Sequence, residues 1–233
     1  MPGSRKPPRN REDASERIRR AGIALFRARG YHGTSVRALA RAVGVEAASL
    51  YHHFPSKQKI LCDIFDRVMN DMLEGLEQAL EAPASHEDRL RSIVRFHVLF
   101  HVERQDEAFI SHSELRSLTV PHRTQTNAKR DRYESLLRGF LRSGEAAGVF
   151  EIDDLRLTTI AILMMCSGVS DWFVKRGRLS GDTIADAYAE MVLRLVRVSR
   201  KPDPVDRLKV SVARSPSARK RSRSTSGQPR LYG

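Results

Sequence analysis

Thr34 to Lys57 reads TSVRALARAVGVEAASLYHHFPSK, two short helical patterns around a glycine followed by the start of a third. Val36, Leu39, Ala40 and Val43 recur at three- and four-residue spacing, which gives one buried helical face, and Thr34 stands where a capping hydroxyl would start that helix. Gly44 ends it, because a residue without Cβ accepts the positive φ of a tight turn, and Val45 returns to the core. A second helix is expected from near Glu46, held inward by Leu50 and Phe54 and stopped by Pro55. Ala47, Ala48, Ser49, Tyr51, His52 and His53 are left on its outer face or at its end. Short side chains there let a helix sink into a major groove. Ser56 is placed to cap the next helix, with Lys57 in its first turn, where unpaired N–H groups and a cation suit a phosphate. The pattern is that of a helix-turn-helix.

Working outward, the stretch from about Asp13 to Met69 resembles the head of the TetR-type transcriptional regulators. Ala24-Leu25-Phe26 and Gly30 in a first helix, the TS-x-R-x-LA-x-x-x-GV pattern and the LYHHF-x-SK pattern carry the likeness. The resemblance implies that the helix from about Glu46 to His53 reads the major groove. Arg37 then reaches a base or phosphate, Tyr51, His52 and Lys57 clamp phosphates, and Thr34 or Ser35 adds backbone contacts. Ala47, Ala48 and Ser49 take base-facing positions, where their size favours methyl contacts and shape readout.

The 233 residues leave room for a second, larger helical domain. Residues 1–11 hold four basic and no acidic side chains and residues 200–233 hold ten basic and two acidic, so the tails carry nearly all of the net charge of +13. Both tails read as disordered basic segments, rich in Pro, Ser and Arg, suited to sequence-independent phosphate contacts. The expected division is a basic arm at 1–11, a helix-turn-helix head at 12–58, an effector-binding and dimerisation body at 59–199, and a basic tail at 200–233. No apolar run approaches a membrane span and no signal sequence opens the chain, so the expectation is a cytoplasmic protein without membrane contact. Cys62 and Cys166 are too few for a disulfide framework and lack metal-ligand spacing.

The body reads as all-α, with helices near 56–80, 86–104, 106–118, 122–147, 154–177 and 182–199, punctuated by Pro83, Pro121 and the segment from Gly148 to Asp154. Ser85 and Asp154 are the candidate caps. Thr159 to Phe173 is apolar on more than one face, which calls for a second partner. Together with the following helix it is expected to form a four-helix homodimer interface through Met164, Val169, Tyr188, Met191 and Leu195. Phe96, Phe100, Phe109, Leu137, Phe140, Ile162, Met165 and Trp172 are the candidate lining of a ligand pocket, drawn from a larger apolar set that includes Ile110 and Leu118. His97 and His101 are one helical turn apart, and His112 and Glu114 follow. No metalloprotease pattern or cysteine accompanies them, so no metal and no cofactor is expected.

The second half is similar to the acyl-CoA-sensing members of the same family, on the DEAFISHSELRSL segment, the helix through Lys129-Arg130-Asp131-Arg132 that ends in GEAAGVF, and DWF…GRLS…IADAYAEMVLRLV. That likeness implies an acyl chain among apolar helices and CoA phosphates near Arg116, Arg123, Lys129, Arg130 or Arg132. The reading is a repressor released from a palindromic double-stranded operator by a hydrophobic small molecule. A nonspecific basic DNA-coating protein is the alternative. A helical enzyme ranks below both, since no nucleophile elbow, P-loop or dinucleotide fingerprint is present.

Overall fold

The computed structural model describes residues 14–82 and 84–197, and these pack as one unit. The tails and Pro83 lie outside the described residues, and with them the expectations placed there. The helices are α1 (Ala14–Arg29), α2 (Val36–Val43), α3 (Ala47–His53), α4 (Lys57–Glu81), α5 (His86–Glu103), α6 (Gln105–Ser113), α7 (Val120–Ala146), α8 (Leu155–Ser167), α9 (Val169–Trp172) and α10 (Gly181–Leu195), with one 3-10 turn at Leu115–Ser117. No strand occurs among the described residues.

Ile18, Gly22 and Phe26 fall on one face of α1 and are buried against α2, α3 and the first half of α4. Gly22 permits the approach: a Cβ there would lie 2.9 Å from Ile60 Cγ2. Phe26, Leu39, Leu50, Ile60 and Leu61 are wholly buried in this small core. Each such side chain is worth on the order of 2 kcal/mol of burial. Gly44 takes φ 74°, the left-handed cap that turns α2 into α3, and Val45 N–H donates back to Ala40 O at 3.0 Å. Arg19 is the charged member of the core, paired with both Glu16 and Asp63.

The larger core lies among the second half of α4 and α5, α7, α8 and α10. Its helices start as their polar residues require, with Ser85 accepting from Asp88 N–H and Asp154 from the N–H groups of Arg156 and Leu157. Arg91 pairs with Glu190, and Arg95 with Asp182 and Asp186, along the α5–α10 seam.

Three helix boundaries differ from those expected. The 106–118 helix breaks at Glu114 and continues as the 3-10 turn. The 154–177 helix breaks after Ser167 at Gly168, resumes for one turn and stops at Trp172. The 182–199 helix ends at Leu195, and Arg197 has φ 44°. The two cores are also interleaved differently. Ile110 and Leu118 belong to the small core with α1 and α2, so the α6 segment of the body is inserted into the head.

Candidate nucleic-acid interface and its coupling to the body

Ser35, not Thr34, caps α2: its hydroxyl accepts from Ala38 N–H at 3.1 Å. Thr34 is buried, and its hydroxyl donates to Gly30 O at 2.9 Å, so it holds the α1–α2 turn and has nothing to offer a phosphate. Both residues carry a hydroxyl. The one with tertiary acceptors behind it turns inward.

Lys57 also turns inward. Its ammonium donates to Tyr31 O and Thr34 O, each at 2.7 Å, and lies 4.1 Å from the centre of the Tyr31 ring. Desolvation lowers its pKa against the opposing pull of Glu114. These bonds compete with the phosphate contact expected of it. Ser56 caps α4, accepting from Lys59 N–H.

The outward face consists of Ala48, Ser49, Tyr51, His52 and His53 on α3, with Ser35, Arg37 and Arg41 beside it, all exposed. Ala47 is half-buried and packs on the small core, so its methyl group is shared with the protein interior. Among the described residues the guanidinium groups of Arg37 and Arg41 have no hydrogen-bond or ion-pair partner. Beneath this face α3 is anchored by Leu50 and Phe54, both buried. A short helix with small residues outward, uncommitted guanidinium groups at its flank and a rigid core behind it has the geometry that enters a major groove.

This face is tied to the body through Glu114, a carboxylate whose place in the sequence suggests at most a metal ligand. Glu114 Oε1 accepts from Tyr31 N–H at 3.0 Å and its Oε2 accepts from the Ser117 hydroxyl at 2.6 Å. Tyr31 in turn donates from its hydroxyl to Gln58 at 2.8 Å. Nearby, the Arg27 guanidinium lies 3.8 Å from the centre of the Phe109 ring and pairs with Asp106. Glu114→Ala would strand the Tyr31 N–H, at a cost of about 1–2 kcal/mol. The expected result is a fall in melting temperature of about 3–6 °C at this chain size; an unchanged melting curve would show that the bond contributes nothing.

The body's predicted residues divide. Phe100, Leu137, Phe140 and Ile162 are buried in the large core, and Phe96 and Met165 pack against it. Phe109 and Trp172 do not belong with them: Phe109 sits under Arg27 at the head junction, and Trp172 is 51% exposed beside Tyr188. A cleft of about 490 Å³ opens between α1 and the α5–α6 junction, lined by Arg20, Ile23, Glu103 and Glu107 among others. Three of the cations suggested for CoA phosphates have protein partners: Lys129 with Asp66, Arg132 with Glu77, and Arg130 with Ser111 O.

On the surface of α8 and α10, Met164 is 72% exposed, and Leu157, Met191 and Leu195 are also exposed. Tyr188 is partly covered. Val169 is the exception among the expected interface residues. It is fully buried, because the break at Gly168 turns the first residue of α9 into the core.

The comparisons with known proteins agree with this geometry. The family model described as bacterial regulatory proteins, tetR family, matches residues 18–64, and one described as tetracyclin repressor-like, C-terminal domain, matches residues 83–196. The solved TetR family regulator PfmR of Thermus thermophilus is 35% identical with a TM-score of 0.72, covering 76% of this chain and 97% of its own. The chain belongs to the TetR family of bacterial regulatory proteins. It is a DNA-binding transcriptional regulator with an all-α fold. The transcriptional repressor KstR2 of Rhodococcus jostii is 26% identical over 171 residues, 72% of this chain and 84% of the relative. AibR, solved in complex with isovaleryl coenzyme A and operator DNA, is 26% identical with a TM-score of 0.71, covering 80% of this chain and all of AibR. No helix among the described residues is long and apolar enough to cross a membrane.

Proposed function

We propose that this TetR-family chain is a dimeric, cytoplasmic repressor released from a palindromic operator by an acyl-CoA, and that it has no catalytic activity. The observation that carries the reading is the outward face of α3, with Arg37 uncommitted beside it, on a head whose core contains Ile110 and Leu118 from the body. A head built partly from body residues changes its placement when the body changes shape. Regulation by such a route requires that ligand prefer the state that does not bind DNA, since equal affinity for both states shifts nothing.

In this reading Arg37 reaches a base edge, Ser35, Tyr51 and His52 contact the backbone, and Ala48 and Ser49 face the bases with Ala47 behind them. Lys57 and Thr34 support the turn that presents Arg37. The head of residues 12–58 and the body of 59–199 are joined by α4, whose first half, with Ile60, Leu61, Ile64 and Phe65, lies in the small core and whose second half lies in the large one. Met164, Met191 and Leu195, flanked by Tyr188, form the surface that meets its copy. AibR and KstR2 support the acyl-CoA effector and the repressing mode by relationship.

Arg37→Ala is expected to weaken operator binding by about tenfold to a hundredfold and to relax preference at one base position. A loss spread evenly over all sequences would reassign Arg37 to the phosphate backbone. The effector is tested by fluorescence anisotropy on labelled DNA from the gene's own upstream region, with unlabelled competitor present. Long-chain acyl-CoA is expected to release the DNA while CoA alone does not. Binding indifferent to both would discard the acyl-CoA.

A further inference from the structure

α1 packs on α4 and on α6, so the head is held to the body at two places. A body fixed to a single rod can still turn about it, and the second attachment is what sets the angle. α4 is one unbroken helix through both cores, but α6 reaches the body across a bend. On one side of the bend α5 lies along α10, with Arg91 and Arg95 paired to Glu190, Asp182 and Asp186. Gly181 is so near that a Cβ there would lie 2.9 Å from Val102 Cγ1. On the other side α6 holds the head through Ile110, the Asp106–Arg27 pair and the Glu114 bond to Tyr31 N–H. The two helices meet at Arg104, whose backbone leaves helical values with φ −113° and ψ 45°.

Gln105, the first residue of α6, braces this bend. Its side-chain amide donates to Ser170 O at 3.1 Å and to Phe173 O at 2.8 Å. Both partners are carbonyl oxygens, which only accept, so the NH2 end of the amide faces them and both its hydrogens are used. α9 is a single turn, too short to keep its geometry unaided. The buried Val169 anchors its start, and Gln105 fixes its end. Trp172 closes α9 with its ring 6.5 Å from that of Tyr188, so the exposed apolar surface of Met164 and Met191 continues onto this turn. One side chain thus ties the helix that holds the head to the surface that meets the second copy.

We infer that Gln105 is a positioning residue for the spacing of the two heads: by holding α9 against the start of α6 it fixes the dimer surface relative to the head, which gives the distance between half-sites a sharp optimum. The inference rests on the reading of a dimer on a palindromic operator and deepens it.

One base pair added between half-sites moves the second target by about 3.4 Å and turns it by about 34°. The full-length protein is titrated onto its selected palindrome, the same palindrome with one base pair more or fewer, and a single half-site. The wild type is expected to lose about tenfold or more on either altered spacer. Gln105→Met keeps length and helical preference without the donors, and Gln105→Glu keeps the shape but offers the carbonyls only acceptors. Both variants are expected to remain dimers, to bind the half-site as the wild type does, and to lose about threefold or less on the altered spacers. A tenfold loss retained in either variant, a weakening equal on half-site and palindrome, or variants that sediment as monomers overturns the inference and leaves the operator reading in place. A wild type indifferent to spacing removes both.

Discussion

Aspartate at both Met164 and Met191 is expected to convert the dimer into monomers and to weaken operator binding by about two to three orders of magnitude. Met164 is 72% and Met191 46% exposed in the single chain, so neither substitution disturbs the large core. Aspartate costs little while the surface faces water and several kcal/mol when a partner covers it, because an unpaired carboxylate is then desolvated. The loss of affinity follows from geometry. Two linked heads gain about 10²–10⁴ over one through effective concentration, and a monomer forfeits that gain. Sedimentation velocity reads the association and anisotropy reads the affinity. A dimer that persists in the double variant would move the interface away from α8 and α10.

Acid is expected to destabilise the body through His97 and His101, both buried in it. An unfolded His101 titrates near 6.5, whereas burial, reinforced by His112, holds the folded ring down to about 4. Between these values the unfolded chain binds a proton that the folded chain refuses. Stability is therefore fully present above pH 6.5 and falls as the pH drops through the window. His101 alone accounts for about 2 kcal/mol at pH 5, which corresponds to about 4–8 °C in melting temperature for a chain of this size. His97 is shifted in the same direction, by burial first and by His101 second, and adds to the effect. Thermal melts at pH 7.5 and pH 5 check the slope, and His101→Phe should flatten it. Equal melting temperatures at the two pH values would mean that the folded histidines already titrate normally.

What can be read from the sequence is what local chemistry decides. Gly44, Leu50, Phe54, Ser56, Ser85 and Asp154 each act within about one helical turn of their own position, and the helices start, turn or bury where those residues indicate. The all-α fold and the helix-turn-helix follow from such signals. Thr34 and Lys57 are harder, because their partners at Leu25, Gly30 and Tyr31 lie in another helix and its turn, and only the tertiary arrangement decides whether a polar group faces inward. Val169 reads as surface because apolarity around a helix does not reveal that its axis breaks at Gly168. Ile110, Leu118 and Glu114 carry no visible signal. They sit in a segment with no marked apolar face, and their place in the head comes from a fold-level contact made about eighty residues away in sequence from Tyr31, the residue that Glu114 bonds.

The most direct test of the central claim is selection of bound duplexes from a random-sequence pool at physiological salt. A sequence-reading dimer predicts enrichment of one palindromic motif, with half-sites about one helical turn apart and an affinity roughly 10³-fold or more above the starting pool. A pool that emerges without a motif, bound no better than at the start, would contradict it and leave a protein that coats DNA by charge alone.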